Sequence, residues 1–265
     1  MMDIVIVTNN MDGDSITVLA VKINYLNLRI MAIKLEKGQR INLEKETGAK
    51  LTNFCVGCNW GMIETGRTLE IVDKEGFLGF GRQTHIEREK ISVDLDLSCI
   101  MVNAAGDIVD HIYSPEYRVD FLAQYGMPPG KVDSRDYALH HSGDDREGDA
   151  DGDDGLDNEI IKVDLSKISS DVHQIFFFLN NCGTEDFSQI PYAAIRMYEG
   201  TPDKVHHVFA QYDVAATPQY RGKLALIMGK LYRRGNDWKF AAIGDAYEDA
   251  NLCLTIRRIL TNYSK

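Results

Sequence analysis

With 265 residues, 44% of them hydrophobic, the chain is long enough to bury a sizeable core, as one large β domain or two small ones. Its formal charge of −11 argues against nucleic acid as a main partner, because phosphate binding needs a basic surface and Arg257–Arg258 is too little for one. No run approaches the roughly twenty apolar residues of a membrane span, and the N-terminus lacks the basic n-region of a secretory signal, so the expectation is a cytoplasmic protein without direct membrane insertion.

Residues 1–30 alternate poorly. They hold a strand or two around Ile16 to Leu28 and an Asn-rich turn from Asn9 to Asp14. From Ile33 the texture is all-β. Arg40 to Leu43 alternates, and Leu51 to Trp60 sets Phe54, Val56 and Trp60 among small residues. Cys55 and Cys58 form a CxxC, but Cys99, Cys182 and Cys253 are isolated, so two small buried strand residues are expected rather than a zinc or redox site. Gly61 to Lys90 is a hairpin or loop rich in glycine and charge, with short strands at Leu69–Val72 and Phe77–Phe80. Ile91 to Val102 reads with period two and then as a buried run, and Ile108 to Tyr113 returns antiparallel. Ser114 to Ser134, with three prolines, is an irregular excursion.

Strands resume at Glu159–Leu165, followed by a short helical turn over Ser166–Val172. A central strand at His173–Asn180, further strands at Tyr192–Tyr198 and Val208–Asp213, and a hairpin of Lys223–Arg233 with Trp238–Ile243 complete the set. The tail from Asp245 to Asn262 carries helical periodicity. Many short strands and few helices predict an all-β fold, a two-sheet β-sandwich with a short C-terminal helix.

One stretch speaks about chemistry. From Asp144 to Glu159 there are nine acids and one base, which carry −8 of the −11 charge. Glycines are interleaved with the acids, and glycine lets a backbone fold tightly round an ion. Ca²⁺ takes six to eight oxygens, from carboxylates, carbonyls and water. Mg²⁺ would need fewer protein ligands, and transition metals prefer nitrogen or sulfur. The competing expectation is a solvated, disordered acidic segment. An EF-hand begun at Asp149 fails, since position six is Asp154 and position twelve is Ile160. Asp94 and Asp96, two apart on a strand, point to one side, where two carboxylates repel unless a cation pairs them. His140 and His141 face opposite ways, so one of them is expected to be a structural hydrogen-bonding residue.

The segments Val93–Cys99, His141–Asp145, Asp151–Asp154 and Trp238–Gly244, together with Met31–Gly38, resemble the TerD family of tellurium-resistance and stress proteins. The resemblance covers roughly residues 31–61 and 92–260. It places a domain boundary at Met31, leaving 1–30 as an extension, and marks insertions near 62–91 and 113–136. It implies a β-sandwich that binds Ca²⁺, cytoplasmic, in bacterial stress and tellurite-resistance clusters, with no established reaction. The ligands it implies are Asp94, Asp96, Asp144, Asp145, the Gly148 carbonyl, Asp151, Asp153, Asp154 and Glu159. Two departures stand out. Gly155–Asn158 separate Asp154 from Glu159, which are adjacent in the family, and Gly61 follows Trp60 where the family has Asp. The second departure predicts one ion fewer, or weaker binding.

The expected function is therefore a calcium-binding, non-enzymatic stress-response protein that meets an unidentified protein partner. A metal-dependent phosphoester hydrolase would need a base, with His111, His140 and His141 as the candidates. A small-ligand or nucleotide-binding module would need a phosphate cradle, and no glycine-rich one is present.

Overall fold

The computed structural model describes residues 4–9, 16–21, 33–34, 37–43, 48–74, 83–213 and 217–264. The chain divides into two compact units, Met1–Met31 and Ala32–Lys265. The first unit is an antiparallel pair, β1 (Ile4–Asn9) and β2 (Ile16–Val21), in register from Ile4↔Val21 to Asn9↔Ile16. The expected Asn9–Asp14 turn and the Phe77–Phe80 strand fall mostly outside the described residues.

In the second unit the chain runs through β3 (Ile33–Lys34), β4 (Arg40–Asn42), β5 (Asn53–Trp60), β6 (Ile63–Lys74), β7 (Gln83–Ile91), β8 (Leu95–Val102) and β9 (Ile108–Ile112). A short helix α1 (Val119–Gln124) follows. Then come β10 (Leu139–His141), β11 (Glu159–Asp164), β12 (Gln174–Asn181), β13 (Ala193–Thr201), β14 (Lys204–Asp213), β15 (Ala225–Arg234), β16 (Asp237–Tyr247) and α2 (Leu252–Asn262). Two six-stranded sheets result, in the orders β10-β11-β5-β13-β14-β3 and β4-β16-β15-β12-β8-β9. Every pairing in them is antiparallel except β14 with β3. The expected all-β sandwich is what the structure has.

The period-two pattern explains why β8 and β12 are buried on both faces. Leu95, Leu97, Cys99 and Met101 join Ile175, Phe177 and Leu179 in the core that also takes residues from β5 and β13. The alternate residues Ile100, Val102, Phe176 and Phe178 form a second apolar layer with Leu252, Cys253, Ile256 and Ile259 of α2. Helix α2 thus covers the outer face of one sheet. It begins at Asn251, whose side chain accepts from Leu254 N at 3.1 Å, a cap worth about 1 kcal/mol.

Three local expectations are corrected. The tail is not helical from Asp245, because β16 continues to Tyr247 in pairing with β15 (Ile227↔Asp245, Ala225↔Tyr247). A free strand edge overrides helical propensity there. Ser166–Val172 makes turns and no helix. The excursion after Tyr113 contains α1, whose buried Leu122 joins the second apolar layer. Strands β6 and β7 form a separate two-stranded ribbon, largely exposed.

All five cysteines are free. Cys55, Cys58, Cys99 and Cys253 are buried and Cys182 is exposed. This fits the packing role expected of Cys55 and Cys58.

Candidate metal centre

The acidic loop leaves β10 and returns as β11, so its far end is held on the strand that pairs with β5 and its near end on the strand beyond. Its middle is pinned too. Asp149 N donates to Trp60 O at 2.9 Å, Met62 N to Asp149 O at 3.0 Å, and Val93 N to Glu147 O at 3.1 Å. These backbone bonds lay the loop between the end of β5 and the segment that enters β8. The turn closes at Gly148, whose φ is +77°; a Cβ there would stand 2.5 Å from Trp60 Cδ1. Gly148 therefore serves as a close-approach residue against the Trp60 ring.

Among the described residues, two groups of carboxylates come together, each with one oxygen per residue within 4.8 Å of the others. The first is Asp94, Asp96 and Asp144. Strand β8 begins at Leu95, so Asp94 precedes the strand, yet the two acids still converge. Asp96 is 5% exposed, and its Oδ2 accepts from the Tyr117 hydroxyl and from Cys182 Sγ at 2.6 Å. Asp94 Oδ1 and Asp144 Oδ1 are buried and have no hydrogen-bond partner. Burial raises the Asp94 carboxyl above its ordinary pKa, with the Asp144 charge adding to it. Burial, and then the Glu159 charge, push Asp96 up to about 7. The excursion after Tyr113 supplies the opposite wall, so that Ser114, Tyr117, Arg118 and Phe121 face the acids across a cleft of about 380 Å³.

The second group is Asp149, Asp153 and Asp154. Asp149 is absent from the expected ligands, and no spacing in an irregular loop would have singled it out. Asp151 joins neither group; it is solvent-exposed and pairs with Lys90 at 3.3 Å. Asp145 turns back on its own chain, its Oδ1 accepting from Glu147 N and Gly148 N and its Oδ2 from Asn158 Nδ2. Glu159 is fully buried and accepts from Leu97 N at 2.7 Å and Asp145 N at 3.1 Å. It ties the loop to β8 from behind the first group.

Residues Gly155 to Asn158 have their own anchors. Asp157 is buried beneath Arg196, which donates from Nε to Asp157 Oδ1 at 2.8 Å and from Nη2 to Gly155 O at 2.7 Å. Burial lifts the Asp157 carboxyl to about 6, against the opposing pull of Arg196. Its carboxylate occupies the space over Gly57, where a Cβ would lie 2.1 Å from Oδ2.

No histidine joins either carboxylate group among the described residues, although His141 Nε2 lies 3.5 Å from Glu159 Oε2. His141 is buried; its Nδ1 accepts from Gly143 N, and its Nε2 donates to Leu97 O at 3.0 Å. His140 is exposed on Asp133, and His111 bonds Pro129 O and stacks on Tyr113. The expectation that one of His140 and His141 is structural holds for His141.

A pH dependence follows for the protein in chelator. Raised carboxyl pKa values mean that the folded chain binds more protons than the unfolded chain between about pH 4 and 7, so its stability falls as pH rises through that window. Asp94 and Glu159 act in the same direction, whereas His111, pulled down by burial, opposes it below about pH 6.5. In chelator, the melting temperature is expected to be a few degrees higher at pH 5.5 than at pH 7.5. A flat or rising profile over that range would contradict the raised carboxyl pKa values of Asp96 and Asp157.

Residues 31–257 match the model of the TerD domain. The chain is 31% identical over 230 residues to stress response protein SCP2 of Bacillus subtilis (strain 168), covering 84% of this chain and 96% of that one. It is 28% identical over 216 residues to tellurium resistance protein TerZ of Serratia marcescens, covering 81% and 90%. With tellurium resistance protein TerD of an Alcaligenes species it shares 28% over 221 residues, covering 82% and 92%. A crystal structure of a homologue of telluride resistance protein (TerD) from Streptomyces coelicolor A3(2) superposes with a TM-score of 0.51 at 12% identity, over 81% of this chain and 98% of that one. That likeness concerns the fold alone.

Proposed function

The chain belongs to the TerD family of tellurium-resistance and stress-response proteins, and from that premise we propose that it is a calcium-binding, non-enzymatic stress protein. The observation that carries the reading is the pair of buried, unpartnered oxygens, Asp94 Oδ1 and Asp144 Oδ1, beside the buried Asp96. A buried carboxylate oxygen without a donor costs several kcal/mol unless a cation or a proton meets it. An all-oxygen donor set fits a hard dication. Asp94, Asp96 and Asp144 would hold it, and the ion would add positive charge where Arg146, 3.4 Å from Asp144 Oδ2, already stands beside three converging carboxylates. The chain does the rest: Glu159 and Trp60 fix the loop backbone, and Tyr117 with Cys182 orients Asp96.

The hydrolase alternative is weaker, because His111, His140 and His141 are each engaged by other groups. A reaction would need one of them to face the carboxylates as a base. The protein partner belongs to the proposal as well, and the cleft wall of Tyr117, Arg118 and Phe121 is the surface that would adjoin the ion. Among the described residues, no helix is long and apolar enough to cross a membrane.

Calorimetric titration of chelator-stripped protein with CaCl₂ tests the reading. Saturable heat with a matching rise in melting temperature is expected. Absence of both would remove the calcium assignment.

A further inference from the structure

The loop's two carboxylate groups differ in one respect that the calcium reading does not address. We infer that the Asp149–Asp153–Asp154 group takes no cation, because the amide of Asn59 already bridges Asp149 and Asp153 within it, and that the chain therefore holds one calcium ion, at Asp94–Asp96–Asp144. The inference rests on the calcium reading and extends it to stoichiometry.

Asn59 lies near the end of β5 and is 5% exposed. Its Nδ2 is 3.2 Å from Asp149 Oδ2 and 3.4 Å from Asp153 Oδ1, and it also donates to Leu156 O. Two N–H hydrogens are thus shared among three oxygens from three loop residues. Ca²⁺ would need those oxygens at about 2.3–2.6 Å. An amide nitrogen has only hydrogens to present to it, and these repel a cation.

Asp149 is engaged on both oxygens. Oδ1 accepts from Asn158 Nδ2 at 3.1 Å, and Oδ2 accepts from Asn59 and from the Tyr192 hydroxyl at 3.0 Å. Tyr192 reaches it over Gly61, where a Cβ would lie 2.4 Å from the Tyr192 ring. An acidic side chain at position 61 and Tyr192 in this place exclude one another. Asp153 Oδ1 also accepts from Gly155 N, and Asp154 Oδ1 from Leu156 N. Neutral donors hold these carboxylates, whereas Asp94 Oδ1 and Asp144 Oδ1 have no donor.

The test is a count. Chelator-stripped whole chain, dialysed to equilibrium against CaCl₂, is expected to take up one equivalent. That equivalent is lost in Asp144→Asn and kept in the double variant Asp153→Asn/Asp154→Asn. Asn59→Asp, which puts an oxygen where the nitrogen stands, is expected to add a second equivalent. Two equivalents in the unmodified chain, with one lost in Asp153→Asn/Asp154→Asn, overturn the inference. An inverted Asn59 amide, presenting Oδ1 to the carboxylates, gives the same result. No uptake by the unmodified chain overturns the calcium reading itself, and the inference with it. If Asn59→Asp does not fold, the first two counts still decide.

Discussion

Asp144→Asn is expected to abolish the stabilisation by calcium while leaving the chelated protein as stable as before, or more so. At a free concentration a hundredfold above Kd, an ion that binds only the folded state adds about 2.7 kcal/mol. For a unit of this size each kcal/mol moves Tm by about 2–4 °C, so calcium should raise the Tm of the unmodified chain by roughly 5–10 °C. In Asp144→Asn that rise disappears. The sign in chelator separates the ion from a structural role. Asp144 raises the pKa of Asp94 by repulsion, and its Oδ1 is buried without a donor. Neutralising it relieves the metal-free fold. A residue that merely braced the loop would lose stability in both buffers when substituted, and differential scanning calorimetry with and without chelator tells the two apart.

The second large effect is expected at Arg196→Met. The Asp157 side chain is completely buried, and Arg196 is its one cationic partner among the described residues. Removing one partner of a buried ion pair costs about 3–5 kcal/mol, because the other charge is left without compensation. At the same 2–4 °C per kcal/mol, the Tm should fall by about 6–20 °C. Asp157→Asn keeps an acceptor for Arg196 Nε and leaves Arg196 its bond to Gly155 O, so its loss should be smaller. The double variant Arg196→Met/Asp157→Asn should recover much of the single-variant loss, since the uncompensated charge is gone. Equal losses in all three would mean that the pair matters through packing alone. The pair gives the four residues Gly155–Asn158 a fixed place: Asp157 is drawn under Arg196 and over Gly57, and Asn158 then bridges Asp145 and Asp149.

How much of this was legible beforehand depends on the residue. The sandwich could be read from strand spacing, because a period of two sorts Leu95, Leu97 and Cys99 from Ile100 and Val102 whatever lies around them. The end of β16 could not, because the Asp245–Tyr247 segment is as compatible with a helix until β15 offers it an edge. The acidic loop announced a site through its composition, and Asp94, Asp96 and Asp144 were among the residues named. Within the loop, composition does not discriminate between acids: Asp151 faces solvent, Asp149 faces inward, and Glu159 is buried as a brace. Side-chain direction there follows left-handed turns at Gly148, Gly152 and Gly155 and partners on distant strands, not a period.

The sequence by itself determined the fold class and the concentration of charge between Asp144 and Glu159. Each of these depends on local composition or on a repeating pattern along the chain. Only the tertiary structure decided which carboxylates share a point in space and which are already satisfied. Tyr117, Asn59, Tyr192 and Arg196 do that work. They lie 21 to 94 residues from the acids they contact. A hydrogen bond across such a distance exists only once both sheets and the loop are in place.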